Sequence, residues 1–121
     1  SIKNIRLPVS APFHCSLMSN ATKIMKEEIE KLNFKKSQNK LISNVTAEEI
    51  SSIGDLKNLL IKQIENRVRW RESVLNMIKK GINHFIEIGP GKVLSGLVKR
   101  INRDVMINTI NSQEDIEKLK I

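Results

Sequence analysis

Between residues 84 and 110 a strand, a glycine turn, a helix and a second strand follow one another without a break, and no other stretch restricts the fold as tightly. His84-Phe85-Ile86-Glu87-Ile88 has the β-branched and aromatic content of a strand. Gly89-Pro90-Gly91 turns out of it. Val93, Leu94, Leu97, Val98 and Ile101 then recur at helical spacing, and Val105 to Ile110 returns as a strand. Strands alternating with helices argue for a mainly parallel sheet covered by helices.

The rest of the chain extends this pattern. Ile2 to Val9 reads as a strand ended by Pro8 and Pro12. Leu17, Ala21, Ile24, Met25, Ile29 and Leu32 predict one helix from Leu17 to about Leu32 with a single buried stripe. Lys40 to Val45 reads as a short strand. Asp55 is the expected N-cap of a helix carrying Leu56, Leu59, Leu60, Gln63 and Ile64. A second helix runs from about Trp70 to Lys80, with Val74, Met77 and Ile78 inward and Gly81 as its C′ residue. Ser112 or Asn111 caps a short last helix to about Leu119. The predicted order is β-α-β-α-α-β-α-β-α, with no internal repeat.

At 121 residues, 40% hydrophobic and 28% charged, the chain suits one small globular domain. No apolar run has the length of a membrane span, and no signal peptide is visible. The start, Ser1-Ile2-Lys3-Asn4, has no Met and is expected of a chain cut from something longer. The single cysteine, Cys15, forms no internal disulfide and suits a reducing cytoplasm. No Cys/His grouping has metal-ligand spacing. The net charge of +8 invites a nucleic-acid reading, but aromatics are 3% and Tyr is absent, so stacking platforms for single strands are missing. The plainer reading is a Lys-rich solvated surface, which can also steer an acidic protein partner.

Few residues offer chemistry. His14 stands in Val9-Ser10-Ala11-Pro12-Phe13-His14-Cys15-Ser16, at a strand-to-helix junction where open sheets carry their sites. Held there in one orientation, it can act as a general base. Its nucleophile is not evident. The chain contains no Gly-x-Ser-x-Gly, Ser10 and Ser16 are too near in sequence, and adjacent residues such as Cys15 rarely face each other. His84, at the head of a buried-looking strand, reads as structural. Gly89-Pro90-Gly91-Lys92 could present free helix amides to an anion but lacks P-loop spacing, so a structural turn is favoured. Gly96 is expected to allow close helix–sheet packing. Trp70, between Arg69 and Arg71, is expected in a core more than in a cation–π pair.

Four segments taken together resemble malonyl-CoA:acyl carrier protein transacylases of the bacterial type. Val9 to Met18 resembles the family's histidine motif. Ile42-Ser43-Asn44-Val45-Thr46-Ala47 looks like its short Ser-Asn-Val strand. Gln63 to Val74 looks like its Gln-x-x-x-Pro-Val-x-Trp-x-x-Ser-Val segment, with Arg67 where the family has proline. Phe85 to Leu97 resembles its Glu-x-Gly-Pro-Gly-Lys-Val-Leu-x-Gly-Leu signature. The match covers essentially the whole chain and corresponds to the closing part of the family's length.

The resemblance implies an α/β fold: the C-terminal part of an α/β-hydrolase-like acyltransferase core, a mainly parallel sheet with flanking helices. Residues 1–13 would be the last strand of a ferredoxin-like subdomain and the return to the core, and residues 14–121 the core itself. It implies malonyl transfer from malonyl-CoA to the phosphopantetheine thiol of acyl carrier protein, in fatty acid biosynthesis, with no metal and no cofactor beyond these substrates. His14 falls on the catalytic histidine, Gln63 on the residue whose backbone carbonyl orients it, and Phe13 on a position tied to malonyl rather than methylmalonyl selection. The serine elbow, the carboxylate-binding arginine and the oxyanion loop of the family have no match here. The expectation is therefore the histidine half of an enzyme, inactive alone, with acyl carrier protein and an upstream chain carrying the serine as partners, and with neither nucleic acid nor membrane. Alternatives are a non-catalytic module presenting Lys92, Lys99, Arg100 and Arg103 to acyl carrier protein, or a decayed gene fragment. A sheet without its upstream strands is expected to expose an edge and apolar faces, giving poor solubility or self-association.

Overall fold

Residues 10–119 are described by the structure, a computed structural model. The strand expected over Ile2–Val9, and with it most of the segment assigned to a ferredoxin-like subdomain, lies outside them. The chain divides into two compact units, Ser1–Arg69 and Trp70–Ile121.

In the first unit the expected single helix is divided. A 3₁₀ turn over Ser16–Met18 precedes α1, Ser19–Lys31. The tighter turn arises because the Cys15 carbonyl accepts from the Met18 amide at 3.0 Å, three residues on. The expected stripe is mostly uncovered: Ile29 is buried, whereas Leu17, Ile24, Met25 and Leu32 are exposed. Helical spacing defines an apolar face; it does not supply what covers it.

The strand expected over Lys40–Val45 is also corrected. Only an isolated antiparallel bridge forms, between Ile42 and Glu49. Ser43, buried, turns the chain instead, its Oγ accepting from the amides of Val45 (3.1 Å) and Thr46 (3.4 Å). Ala47 closes the turn with a left-handed φ of 61° and its amide on the Ser43 carbonyl.

Helix α2 spans Ile53–Gln63, and its N-cap is Ser52 rather than Asp55. Ser52 Oγ accepts from the Asp55 amide at 3.0 Å, which places Asp55 in the first turn. There its carboxylate accepts from the hydroxyls of Ser52 (2.6 Å) and Ser51 (2.9 Å), and these bonds hold it below its ordinary pKa.

The second unit follows the sequence closely. It contains α3 (Trp70–Lys79), β1 (His84–Ile88), α4 (Val93–Ile101), β2 (Met106–Ile110) and α5 (Gln113–Lys118). Strands β1 and β2 are parallel, His84 opposite Met106 and Ile88 opposite Ile110. Among the described residues this sheet has two strands. Gly81 (φ 93°) ends α3 with its amide on the Ile78 carbonyl and the Ile82 amide on that of Met77, the paired bonds of a Schellman cap. Ser112 caps α5 in a reciprocal box with Asp115.

Val74, Val98 and Val105 are buried at the centre, with Trp70, Met77, Ile78, Phe85, Ile101 and Ile107 packed on them. Alternation along β1 sends Phe85 to this core and Ile86 and Ile88 to the other face, where Ile88 is 79% exposed. Helix α4 is likewise only partly covered, since Val93, Leu94 and Leu97 are exposed. Among the described residues a Cβ at Gly96 would meet nothing within 4 Å, so they do not supply the close packing expected there.

Candidate active site

His14 is held by main-chain chemistry on both sides. The Phe13 amide reaches back to the Ala11 carbonyl at 2.9 Å, and Cys15 Sγ contacts the Pro12 carbonyl at 3.2 Å. Between these contacts His14 adopts φ 62°, in the left-handed region. That conformation costs an L-residue roughly 1–2 kcal/mol and recurs at positions where function fixes a side chain. Cys15 returns at once to extended backbone and leads into the 3₁₀ turn.

The imidazole is oriented from 49 residues away. His14 Nδ1 lies 2.9 Å from the backbone carbonyl oxygen of Gln63, the last residue of α2. A carbonyl can only accept, so Nδ1 carries the proton and Nε2 of the neutral ring keeps its lone pair. Among the described residues no hydrogen bond joins His14 to Ser10, Ser16 or Cys15.

Phe13, 56% exposed, lies beside the imidazole. Together Phe13, His14, Met18, Leu60, Gln63 and Ile64 line an open cleft of about 260 Å³. The structure thus brings Phe13, His14 and Gln63 to one place. Met18, Leu60 and Ile64 were not singled out from the sequence. The helical periodicity that put Leu60 and Ile64 on one face of α2 was the available signal.

The other candidates have internal occupations. His84 Nε2 donates to Asn108 Oδ1 across the sheet at 2.7 Å, as a structural histidine would. The amides at the start of α4 are taken by Glu87: Leu94 N–H at 3.1 Å and Ser95 N–H at 2.7 Å donate to its carboxylate. Ser95 first, and then the Leu94 amide, hold the Glu87 carboxyl below its ordinary range against some desolvation. The Ser95 hydroxyl itself makes no hydrogen bond, so the two amides are the contacts that carry this effect. Gly91 N–H donates to Asn111 Oδ1 at 2.7 Å, fixing the glycine turn from the far side. Trp70 is half-buried on the valine cluster, its Nε1 without a partner among the described residues. Of the basic residues, Lys99 Nζ donates to the carbonyls of Arg103 (2.7 Å) and Val105 (3.3 Å), while Lys92 and Arg100 are exposed on α4.

Among the described residues no group of His, Cys, Asp and Glu could hold a metal ion, and no helix is long and apolar enough to cross a membrane.

No protein-family model matches the chain. It is 43% identical over 113 residues to the malonyl CoA-acyl carrier protein transacylase of Bacillus subtilis (strain 168), a match covering 93% of this chain and 36% of that protein. The crystal structure of a malonyl CoA-acyl carrier protein transacylase from Clostridium perfringens superimposes with a TM-score of 0.87 at 38% identity, covering 94% of this chain and 36% of that one. A malonyl-transacylase solved in complex with its type II PKS acyl-carrier protein gives a TM-score of 0.86 at 33% identity, with 93% and 36% covered. The chain therefore spans little more than a third of the length of the relatives it matches.

Proposed function

We propose that this chain belongs to the malonyl-CoA:acyl carrier protein transacylase family and supplies the histidine side of a malonyl-transfer site. One observation carries the reading: His14 Nδ1 is engaged by the Gln63 carbonyl, so the neutral ring offers Nε2 as a base. An acyl transfer through a serine needs such a base. Nε2 takes the hydroxyl proton as the serine oxygen forms its bond to the malonyl thioester carbon. The C–S bond then breaks, and the imidazolium returns the proton to the departing thiolate of coenzyme A. The second half runs in reverse with the phosphopantetheine thiol of acyl carrier protein. The Gln63 carbonyl does the work that a carboxylate does in a Ser-His-Asp triad, holding tautomer and ring orientation.

The serine, the oxyanion donors and an arginine for the malonyl carboxylate are assigned to the part of the relatives that this chain does not span. Phe13 is assigned to the acyl side, where its ring leaves little room for an α-methyl group and favours malonyl over methylmalonyl. Acyl carrier protein is the acceptor, drawn to Lys92, Arg100 and neighbouring cations; the relative solved with its own acyl-carrier protein supports the class of partner. Fatty acid synthesis in the cytoplasm is the setting this activity implies.

The reading is tested by combining this chain with a polypeptide carrying the remaining length of a family member, its serine included, and following malonyl transfer to acyl carrier protein. Activity is expected from the pair, falling about 10²–10⁴-fold in His14→Gln. This chain alone is expected to gain no malonyl adduct by intact mass. An active pair unaffected by His14→Gln, or an adduct on the lone chain, overturns the proposal.

A further inference from the structure

We infer that Asn66 is a positioning residue for His14, acting through the last turn of α2. The inference deepens the reading of His14 given above and is tested without substrate. At the end of α2 the chain must stop spiralling while one carbonyl, that of Gln63, is turned toward another segment. The Lys62 carbonyl, one residue earlier, gathers the departing donors. It accepts from the Glu65 amide at 3.3 Å, the Asn66 amide at 3.1 Å and, most closely, Asn66 Nδ2 at 2.7 Å. The Ile64 amide also leans on it while bonding Ile61. Asn66 thus fastens main chain and side chain to a single helix carbonyl. The exit is pinned again three residues on, where Arg69 donates its amide to the Asn44 carbonyl (2.8 Å) and Nη1 to the Thr46 carbonyl (3.0 Å). Residues 62–69 are therefore tied at both ends, and the Gln63 carbonyl lies within the tied stretch, 2.9 Å from His14 Nδ1.

A helix end held only by backbone bonds frays, and its last carbonyls sample several directions. A carbonyl that wanders cannot fix a tautomer. The side-chain amide of Asn66 is a contact that a substitution can delete without removing a backbone group. Its role is thus separable from that of Gln63, which meets the imidazole through its backbone carbonyl.

The test reads the imidazole directly. The chain contains two histidines, so long-range ¹H–¹⁵N correlation of the ¹⁵N-labelled chain, assigned with His14→Gln, resolves His14 from His84. Spectra are taken at a pH where both rings are neutral. Wild type is expected to show His14 mainly as the Nδ1–H tautomer. Asn66→Ala is expected to move the Nδ1–H to Nε2–H ratio about 3- to 10-fold toward Nε2–H, the equivalent of one net hydrogen bond. Asn66→Ser, whose hydroxyl can reach the same carbonyl, is expected to recover part of the ratio. Gln63→Ala, which keeps the carbonyl, is expected to leave it unchanged, as is the His84 signal in every variant. An unchanged His14 ratio in Asn66→Ala overturns the inference, as does an equal shift in Gln63→Ala. Should Asn66→Ala not fold, Asn66→Ser and Asn66→Gln decide together: a His14 ratio shifted in either with the His84 signal unchanged supports positioning, and a wild-type ratio in both rejects it. A wild-type ring already in the Nε2–H form refutes the base geometry itself, whereas a correct wild-type tautomer with inert Asn66 variants refutes only Asn66.

Discussion

The two units of this chain are built on different principles. The unit from Trp70 onward has a common centre: Val74, Val98 and Val105 are buried and six further apolar side chains pack on them. Among its described residues the unit up to Arg69 has no comparable cluster. Its buried apolar residues are Ile29 and Ala47, and polar bonds set its conformation: Ser43 on two amides, Ser52 with Asp55, Arg69 on two carbonyls. The functional candidate, His14, and the left-handed non-glycine residues among those described, His14 and Ala47, occur in the unit without the valine core. Apolar packing is tolerant of small displacements, whereas directional hydrogen bonds set angles, and a proton-transferring ring needs angles. The contrast is that of a scaffold held by burial and a site held by hydrogen bonds.

The strongest way to break this contrast is to damage the scaffold. Val74→Ala removes two methyl groups from the fully buried position and is expected to destabilise the second unit by about 1–3 kcal/mol. By NMR, His84 should report the loss while His14 keeps its wild-type signal. Simultaneous loss of both would show that the units do not respond separately. A smaller effect is expected from Glu87→Gln. The Glu87 carboxyl is held below its ordinary value of 4.5, so the folded state binds its proton more weakly than the unfolded one. Its contribution is therefore present above that ordinary value and lost as pH falls through the lower, folded one. Acid titration of the melting temperature should show a shallower fall in Glu87→Gln than in wild type below about pH 5, and parallel acid limbs would rule out this role. The smallest effect belongs to the outer surface. If acyl carrier protein docks as proposed, reversing exposed Lys92 and Arg100 to Glu should weaken that docking several-fold at low salt and less at high salt, with stability nearly unchanged. Binding that ignores both charge and salt would remove α4 from the docking surface.

The same contrast explains what could be read in advance. From His84 to Ile110 the strands, turn and helix appear where the apolar pattern puts them, because burial writes a periodic signal. Gly81 and Ser112 were legible because caps have local chemistry. Between Ser43 and Asp55 the pattern misleads: the Ser43 hydroxyl diverts a strand into a turn, and Ser52 takes the cap position from Asp55. Both outcomes hang on which of several neighbouring oxygens reaches an amide first. Glu87 was illegible as a cap for α4, since it lies seven and eight residues before the amides it holds and reaches them only once the glycine turn has folded back. Exposed Leu17, Ile24, Ile88 and Val93 teach a related lesson. Periodicity names the face that seeks cover and is silent about the cover. His14 and Gln63, 49 residues apart, were paired in advance by family resemblance alone; no local signal links them.

Every amino acid, whatever its codon, delivers the same carbonyl to the chain. The partner of His14 is such a carbonyl, so no missense change at position 63 can delete it. On the side of Gln63, heredity reaches this contact only indirectly, through neighbours that aim the peptide unit, and a lesion there would be recorded in the gene as a change somewhere else.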